Sequence, residues 1–205
     1  MIRNTRYLSL DLELNTKDEK TTHLIEVGVS IGSYQEGIIH TQSWYIKPVF
    51  DLKSQLITDY TLSEHIIELT GIKQGDYDKN AVTSSAVAEE IKELIDKYQP
   101  FVNPITWGCG DADELTTTFK QEGIYFPNFG RRFIDVKTLY LFIEAAKGHS
   151  LSGGLRKSMN RCGIKFLGNP HRAAVDAENT LRFYFHLLDR QAKLEDTIKL
   201  YKEIR

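Results

Sequence analysis

The chain has 205 residues, with 26 Lys and Arg against 28 Asp and Glu, which gives a formal net charge of -2. A balance this even excludes a strongly basic protein that attracts nucleic acid through its overall field, so any contact with a polyanion has to be local. The two cysteines form no CxxC pair and no apolar run approaches the roughly 18 residues of a membrane span, so we expect one soluble, cytoplasmic domain over residues 1–205.

The first predicted element is a strand over residues 7–14. Leucine occupies every second position from 8 to 14, an alternation with the period of a β-strand. Alternate side chains of a strand point to opposite faces, so Asp11 and Glu13 are expected side by side on the face opposite the leucines. Carboxylates this close repel each other unless a cation compensates them, and oxygen clusters favour magnesium or manganese. A solvated strand face is the alternative, because short motifs often match by chance.

The remaining elements predict an α/β fold. Strands over 23–31 and 41–46 continue an antiparallel meander, and an amphipathic helix begins after the possible caps Ser84 and Ser85. The later elements are predicted in the order strand 103–108, helix, strand 133–136, helices 136–147, 151–162 and 173–191, and a terminal helix over 193–205 docked by its apolar face. A terminal helix that holds substrate or a second subunit is the alternative. This order predicts a mixed five-stranded sheet of a three-strand meander plus two parallel strands, flanked by helices.

Asp111 follows the fourth predicted strand. Ligands of open α/β sheets lie beyond the carboxyl ends of the strands, which makes Asp111 a candidate for the same site. Aspartate is also a common helix cap, and that structural role is the alternative. The neighbouring Asp113 and Glu114 suit the first turn of a helix and are assigned to structure.

His171 and Asp176 flank the predicted start of the helix 173–191. Side chains five residues apart on one α-helix point about 140° apart, so the two could not easily serve one site if both were helical. A helix that begins near Ala173 leaves His171 on the preceding loop and turns Asp176 inward. Histidine exchanges a proton near neutral pH, so His171 is a candidate for acid–base chemistry. A loop histidine bonded to a backbone carbonyl is the alternative.

The order of these residues resembles a known family. Asp11-x-Glu13, Asp111 after Trp-Gly, and His171-x4-Asp176 resemble the three motifs of the DEDDh 3'-5' exonucleases. Segments 69–72 and 155–177 are similar to the branch that contains the histone-mRNA and small-RNA exoribonucleases. The resemblance covers roughly residues 6–188 and implies an RNase H-like fold, His171 as general base, and two Mg²⁺ or Mn²⁺ ions held by Asp11, Glu13, Asp111 and Asp176.

The resemblance also implies contacts with the substrate. Leu12, Leu14 and Asn15 are expected at the terminal nucleotide, with a role in the sheet core as the alternative for Leu12. Relatives often carry an aromatic residue before the third acid, where this chain has Gly110, so the platform for a terminal base is missing or moved. Candidate phosphate contacts are Arg131, Arg132, Lys157, Arg161 and Arg172, with Arg172 foremost because it follows His171.

The sequence therefore predicts a 3'-5' exonuclease that acts on single-stranded RNA or DNA 3' ends and releases nucleoside 5'-monophosphates. RNA is favoured by the resemblance alone, because the contact to a 2'-hydroxyl cannot be located in the sequence. One alternative is a DNA-directed exonuclease of the repair or proofreading type. The other is a catalytically idle nuclease fold used as a binding module.

Overall fold

The computed structural model describes residues 4–16, 21–125, 129–130 and 132–203. Its elements in chain order are β1 (Arg6–Thr16), β2 (Thr22–Ser33), β3 (Gly37–Lys47), α1 (Glu64–Thr70), α2 (Gln74–Asn80), β4 (Val82–Thr83), α3 (Ser84–Tyr98), β5 (Ile105–Thr106), α4 (Asp111–Gln121), β6 (Ile134–Asp135), α5 (Val136–Ala146), α6 (Leu155–Arg161) and α7 (Ala173–Glu203). Apart from a separate terminal helix, every strand and helix named in the sequence analysis is present. The strands β5 and β6 are shorter than predicted.

The strands form one mixed sheet in the order β4-β3-β2-β1-β5-β6. The first three strands are the predicted antiparallel meander, and β5 and β6 add the predicted parallel pair beside β1. A sixth strand, β4, pairs in parallel with β3 at the other edge, so the predicted count of five is one short. Both residues of β4 are exposed, and two residues carry no alternation that a sequence could show.

The alternation in β1 separates two cores. Leu8, Leu10 and Leu12 pack with buried side chains of α3 and α4 on one face of the sheet. Tyr7, on the other face, packs with buried side chains of α5, α6 and α7. Helices therefore cover both faces, and Asp11 and Glu13 lie on the face that α7 covers.

Local capping sets the helix starts. Ser63 accepts a hydrogen bond from the backbone N–H of Ile66 at the start of α1, and Gly71 ends that helix at a φ of 72°, a left-handed conformation that glycine adopts readily. Thr83 accepts from the backbone N–H of Ala86 at the start of α3, so the cap lies one residue before the predicted Ser84.

The predicted separate terminal helix is instead the continuation of α7. That helix runs unbroken to Glu203, and Arg205 lies outside the described residues. The expected docking is also wrong, because Leu194, Ile198 and Tyr201 are 52%, 39% and 70% exposed. Their spacing is amphipathic, but no described element reaches that part of the helix. No helix in the described ranges, α7 included, carries an apolar stretch long enough to cross a bilayer.

We expect Leu10→Ala to destabilise the protein by about 2–5 kcal/mol, because it leaves a cavity where a fully buried side chain packs in the core beside α3 and α4. Leu200→Ala is the matched control, since Leu200 is 60% exposed and its truncation should change stability by less than about 0.5 kcal/mol. Urea unfolding followed by circular dichroism measures both. Equal midpoints for the two variants would contradict the assignment of the core.

Candidate active site

Two of the candidate acids are held by the pairing of β1 with β2. Asp11 lies opposite Gly28 and Glu13 lies opposite Glu26 in the antiparallel register. Glu13 is buried and Asp11 is half-buried. A buried strand thus fixes both carboxylates at the sheet surface, as the alternation in the sequence predicts.

The third acid is the first residue of α4. Gly110 precedes it as the N-cap at a φ of 118°, and no side chain caps the helix, so capping does not occupy the Asp111 carboxylate. The turn before it is held by Asp135, which accepts a hydrogen bond from the backbone N–H of Gly108 at 2.9 Å. Burial, and then the charge of Glu114, raises the pKa of Asp111 to about 7.

The loop before α7 brings in the histidine and the fourth acid. The helix begins at Ala173, so His171 lies on the loop and Asp176 in the first turns, as predicted. His171 has a φ of 62°, and its backbone N–H donates to Asp176 Oδ2 at 2.9 Å. The other oxygen, Asp176 Oδ1, is buried and has no hydrogen-bond partner among the described residues. This carboxylate therefore both fixes the loop and keeps one oxygen for a ligand.

Three of the five candidate residues converge, and the charges of the other two act on the same cluster. Glu13, His171 and Asp176 each offer a ligand atom within 4.8 Å of the others. Burial raises the pKa of Asp11 well above its usual range, and the charges of Asp111, Asp176, Glu13 and Glu26 raise it further, in that order. Asp11 and Asp111 are thus within electrostatic reach of each other and of the other acids.

The site fits a divalent cation. Burial, followed by the charges of Asp176 and Glu26, raises the pKa of Glu13 to about 8 even though Arg172 lowers it. Burial also raises the pKa of Asp176. Carboxylates that resist ionisation together, with an unpartnered oxygen among them, are the donor set that a hard cation stabilises. The residues that would hold it are Asp11, Glu13, Asp111 and Asp176, with His171 at the edge.

The start of α7 is seated on β2. A Cβ added to Gly28 would lie 2.1 Å from the carbonyl carbon of Ala173, so only glycine admits the helix there. Two residues away, the buried Glu26 carboxylate accepts a hydrogen bond from the Ala173 N–H at 3.1 Å. A carboxylate at this end also complements the positive end of the helix dipole. Glu26 and Gly28 together therefore position Asp176 and the loop of His171.

The guanidinium of Arg172 forms an ion pair that the sequence did not predict. Its guanidinium donates two hydrogen bonds to Glu26, at 3.1 and 2.9 Å, and a third to the hydroxyl of Tyr45. A bidentate pair with a buried carboxylate satisfies the charge of both partners. A contact between Arg172 and a phosphate stays a prediction, and in the structure the charge of Arg172 compensates Glu26 beside Glu13.

The predicted contacts with the terminal nucleotide remain predictions, but the structure shows what these side chains do. Leu12 is buried in the core beside α3 and α4, which is the alternative that the sequence left open. Leu14 is half-buried against the same core, after a bulge that follows Glu13. Asn15 is fully buried, donates to the carbonyl of Thr61 and accepts from the N–H of Ser63, so its side chain anchors the loop before α1.

The other predicted cations are dispersed. Arg131 lies outside the described residues, and Arg132 is exposed. Lys157 and Arg161 line an open groove of about 860 Å³ that includes His171 and Asp176. Arg156, which is not among the predicted phosphate contacts, lines the same groove.

Sequence reasoning missed two positioning residues, Glu26 and Asp135. The signal for Glu26 was present, because it is the one charge between His23 and Ile31 in a strand that is otherwise apolar or small. A buried charge needs a partner, and a search for that partner leads to Arg172. Asp135 directly precedes a predicted helix, and that position predicts that its side chain caps the helix by accepting from the Thr138 N–H. It does not predict the hydrogen bond that Asp135 also accepts from the Gly108 N–H.

The mixed sheet has the strand order of an RNase H-like nuclease. A central strand and the starts of two helices supply its carboxylates, beside a histidine on a loop. Residues 8–184 match the family described as RNase_T: Exonuclease, so the chain belongs to that exonuclease family. This confirms the family that the motifs predict.

Two relatives carry exoribonuclease names. Human ERI1 exoribonuclease 2 is 27% identical over 165 residues, which are 70% of this chain and 23% of that protein. Rat 3'-5' exoribonuclease 1 is 24% identical over 171 residues, which are 80% of this chain and 48% of that protein. The chain thus spans less than half the length of either relative.

Solved structures share the fold. The nuclease domain of 3'hExo, a DEDDh family member bound to rAMP, has a TM-score of 0.74 at 20% identity and covers 90% of this chain and 92% of that one. Exonuclease I of E. coli in complex with a dT13 oligonucleotide has a TM-score of 0.67 at 16% identity and covers 95% of this chain and 43% of that one. These likenesses confirm the predicted RNase H-like fold.

We expect Gly28→Ala to lower the free energy of unfolding by roughly 3 kcal/mol or more and nuclease activity by roughly a hundredfold, because the added methyl group displaces the start of α7 and with it Asp176. Gly75→Ala on α2 is the matched control, since nothing lies within 4 Å of its Cβ position and alanine favours a helix. Urea unfolding and a nuclease assay check both. A Gly28→Ala protein as stable and active as the control would contradict this account of how α7 is seated.

We expect the metal-free protein to lose stability as the pH rises from about 4.5 to about 8. The pKa of Glu13 is about 8 in the folded protein against an ordinary value of 4.5, so folding favours the protonated form and the free energy of unfolding falls as that proton is lost. Saturating Mn²⁺ should reverse the loss, because it binds the ionised acids of the folded state only.

Thermal unfolding with and without chelator across this pH range measures the effect. Glu13→Gln cannot titrate at this position, so its melting temperature should depend less on pH. If the metal-free protein were most stable at the alkaline end, the electrostatic account of the acid cluster would be wrong.

Proposed function

We propose that this protein is a metal-dependent 3'-5' exonuclease that removes nucleoside 5'-monophosphates from single-stranded nucleic acid, with RNA favoured over DNA. The observation that carries the proposal is the convergence of Glu13, His171 and Asp176 within 4.8 Å, in a chain of the exonuclease family. We assign Asp11 and Asp111 to the same cluster, because the charge of Asp111 raises the pKa of Asp11.

The acids and the histidine have separate roles in the proposed reaction. Asp11, Glu13, Asp111 and Asp176 would hold two Mg²⁺ or Mn²⁺ ions, and these ions, when bound, activate water and stabilise the leaving 3'-oxygen. His171 is exposed on its loop and can take a proton at a ring nitrogen from a water that attacks the phosphorus. Asp176 Oδ2 keeps this loop in place by accepting from the His171 N–H.

The choice of RNA rests on the relatives. Both curated relatives are named as exoribonucleases, and the 3'hExo nuclease domain was solved with rAMP. The DNA-directed alternative has its own support, because Exonuclease I shares the fold and was solved with dT13. Matched RNA and DNA strands separate the two, with faster release from RNA expected.

We expect the protein to release nucleoside 5'-monophosphates from 5'-labelled single strands in Mg²⁺ or Mn²⁺ and not in chelator. Asp11→Asn should lower the rate by roughly a hundredfold or more, because it removes a charge from the centre of the acid cluster. Asp96→Asn is the matched control, since Asp96 is exposed on α3, a helix on the opposite face of the sheet, and should keep the rate.

Gel analysis of the shortened strands gives the polarity, and chromatography identifies the product. Binding of the strands without any cleavage in either metal would indicate the idle binding module instead. Equal rates for Asp11→Asn and Asp96→Asn would show that the acid cluster is not the active site.

A further inference from the structure

We propose that the open groove beside His171 binds the sugar-phosphate backbone of the substrate beyond the cleaved bond, through phosphate contacts from α6. The inference rests on the proposed function, because it states where the rest of a single strand lies once its 3' end is at the acids. It concerns three cations with no part in the proposed chemistry: Arg156, Lys157 and Arg161.

The groove is continuous with the acid cluster. It has a volume of about 860 Å³, and His171 and Asp176 are among its lining residues. The exposed side of α6 forms one wall, and the buried ring of Phe166 also lines it. This volume is in the range of sites that hold ligands larger than a single phosphate.

The groove is basic, and its charge is available. Arg156 and Lys157 are exposed and form no ion pair with a carboxylate among the described residues. Arg161 donates to the carbonyl of Ser152, which leaves its positive charge uncompensated. Among the described lining residues, Asp176 is the one acid. This contrasts with Arg172, whose charge is met by Glu26.

The basic surface leads away from the acids. Arg161 also lines a second hollow of about 550 Å³, with Lys147 and His149 on its wall. Both of these side chains bond to the buried Glu144, so the second hollow is less strongly basic than the first. A path that begins at His171 and continues past Arg161 suits a chain of phosphates better than a single terminal nucleotide.

The charge of the acid cluster is a further reason to expect cations beside it that contact phosphates. Metal ions would offset the four carboxylates only at the acids themselves, and the chain as a whole carries a formal charge of -2, so attraction for the rest of a polyanion has to come from cations beside the site. Contacts of this kind bind any sequence and weaken with salt, with a slope of about -0.7 per phosphate for single strands. The proposed occupant is therefore a single-stranded nucleic acid backbone, bound without regard to base.

The test compares two double variants. The groove variant is Arg156→Glu/Lys157→Glu, and the control is Lys92→Glu/Lys120→Glu, which changes the net charge by the same amount on the exposed sides of α3 and α4. The substrates are a strand of about twelve nucleotides and a dinucleotide, whose single phosphate is the cleaved one. We expect the groove variant to raise KM for the long strand roughly tenfold or more and to leave kcat, and the dinucleotide kcat/KM, unchanged. Its salt slope for binding should be smaller in magnitude by about 1.4.

Equilibrium binding of the labelled long strand in chelator, followed by fluorescence anisotropy, gives a readout that needs no activity. Weaker binding by the groove variant than by the control supports the proposal even if the wild type cleaves nothing, in which case only the proposed function fails. Equal binding by the two variants overturns the groove while leaving cleavage intact. An equal loss on the dinucleotide also overturns it, because the cations would then act at the cleaved phosphate.

Discussion

The seating of the first turn of α7 on β2 is the interaction on which the site depends. The helix fits there only because Gly28 has no side chain and because the buried carboxylate of Glu26 accepts a hydrogen bond from its first residue. These two positions lie on one face of the strand. These are also the residues that lie opposite Asp11 and Glu13 on β1. One register of strand pairing therefore places the acids of the sheet and the helix that brings Asp176 to them, so a slip of one residue would undo both at once.

This arrangement has an electrostatic cost that the rest of the chain only partly offsets. Burial, followed by the charges of Asp176 and Glu26, raises the pKa of Glu13, while the charge of Arg172 lowers it. Arg172 is itself bound to Glu26, so the pair supplies a local compensation and leaves the remaining acids mutually repelling. Preorganised metal sites share this property. Their ligands cannot relax away from one another, so the repulsion between them persists until a cation binds.

The sequence predicts the elements whose signals are local, and it fails where a partner is distant. The leucine alternation from 8 to 14 gave β1 and its acidic face, and the five-residue spacing of His171 and Asp176 gave the start of α7. The ion pair of Arg172 could not be predicted, because its partner Glu26 is 146 residues away in the chain. The end of α7 was misjudged for the opposite reason, since an amphipathic pattern such as that of Leu194 and Ile198 states that a helix has an apolar face and not that anything covers it.

The even overall charge was a weak guide to partners for a related physical reason. Charges on a protein surface act over about 8–10 Å at physiological salt, so the sum over the chain says little about any one groove. Here the acids and the free cations are segregated, with the carboxylates on β1 and at the starts of α4 and α7, and Arg156 and Lys157 on the adjoining α6. The basic surface of α6 would hold an anionic strand while the acids receive its end. A protein of uniformly basic charge would lack the acidic surface for that end. A net charge of only -2 is thus compatible with a nuclease, because the acidic and basic surfaces are adjacent and do not cancel at the distances over which a phosphate interacts.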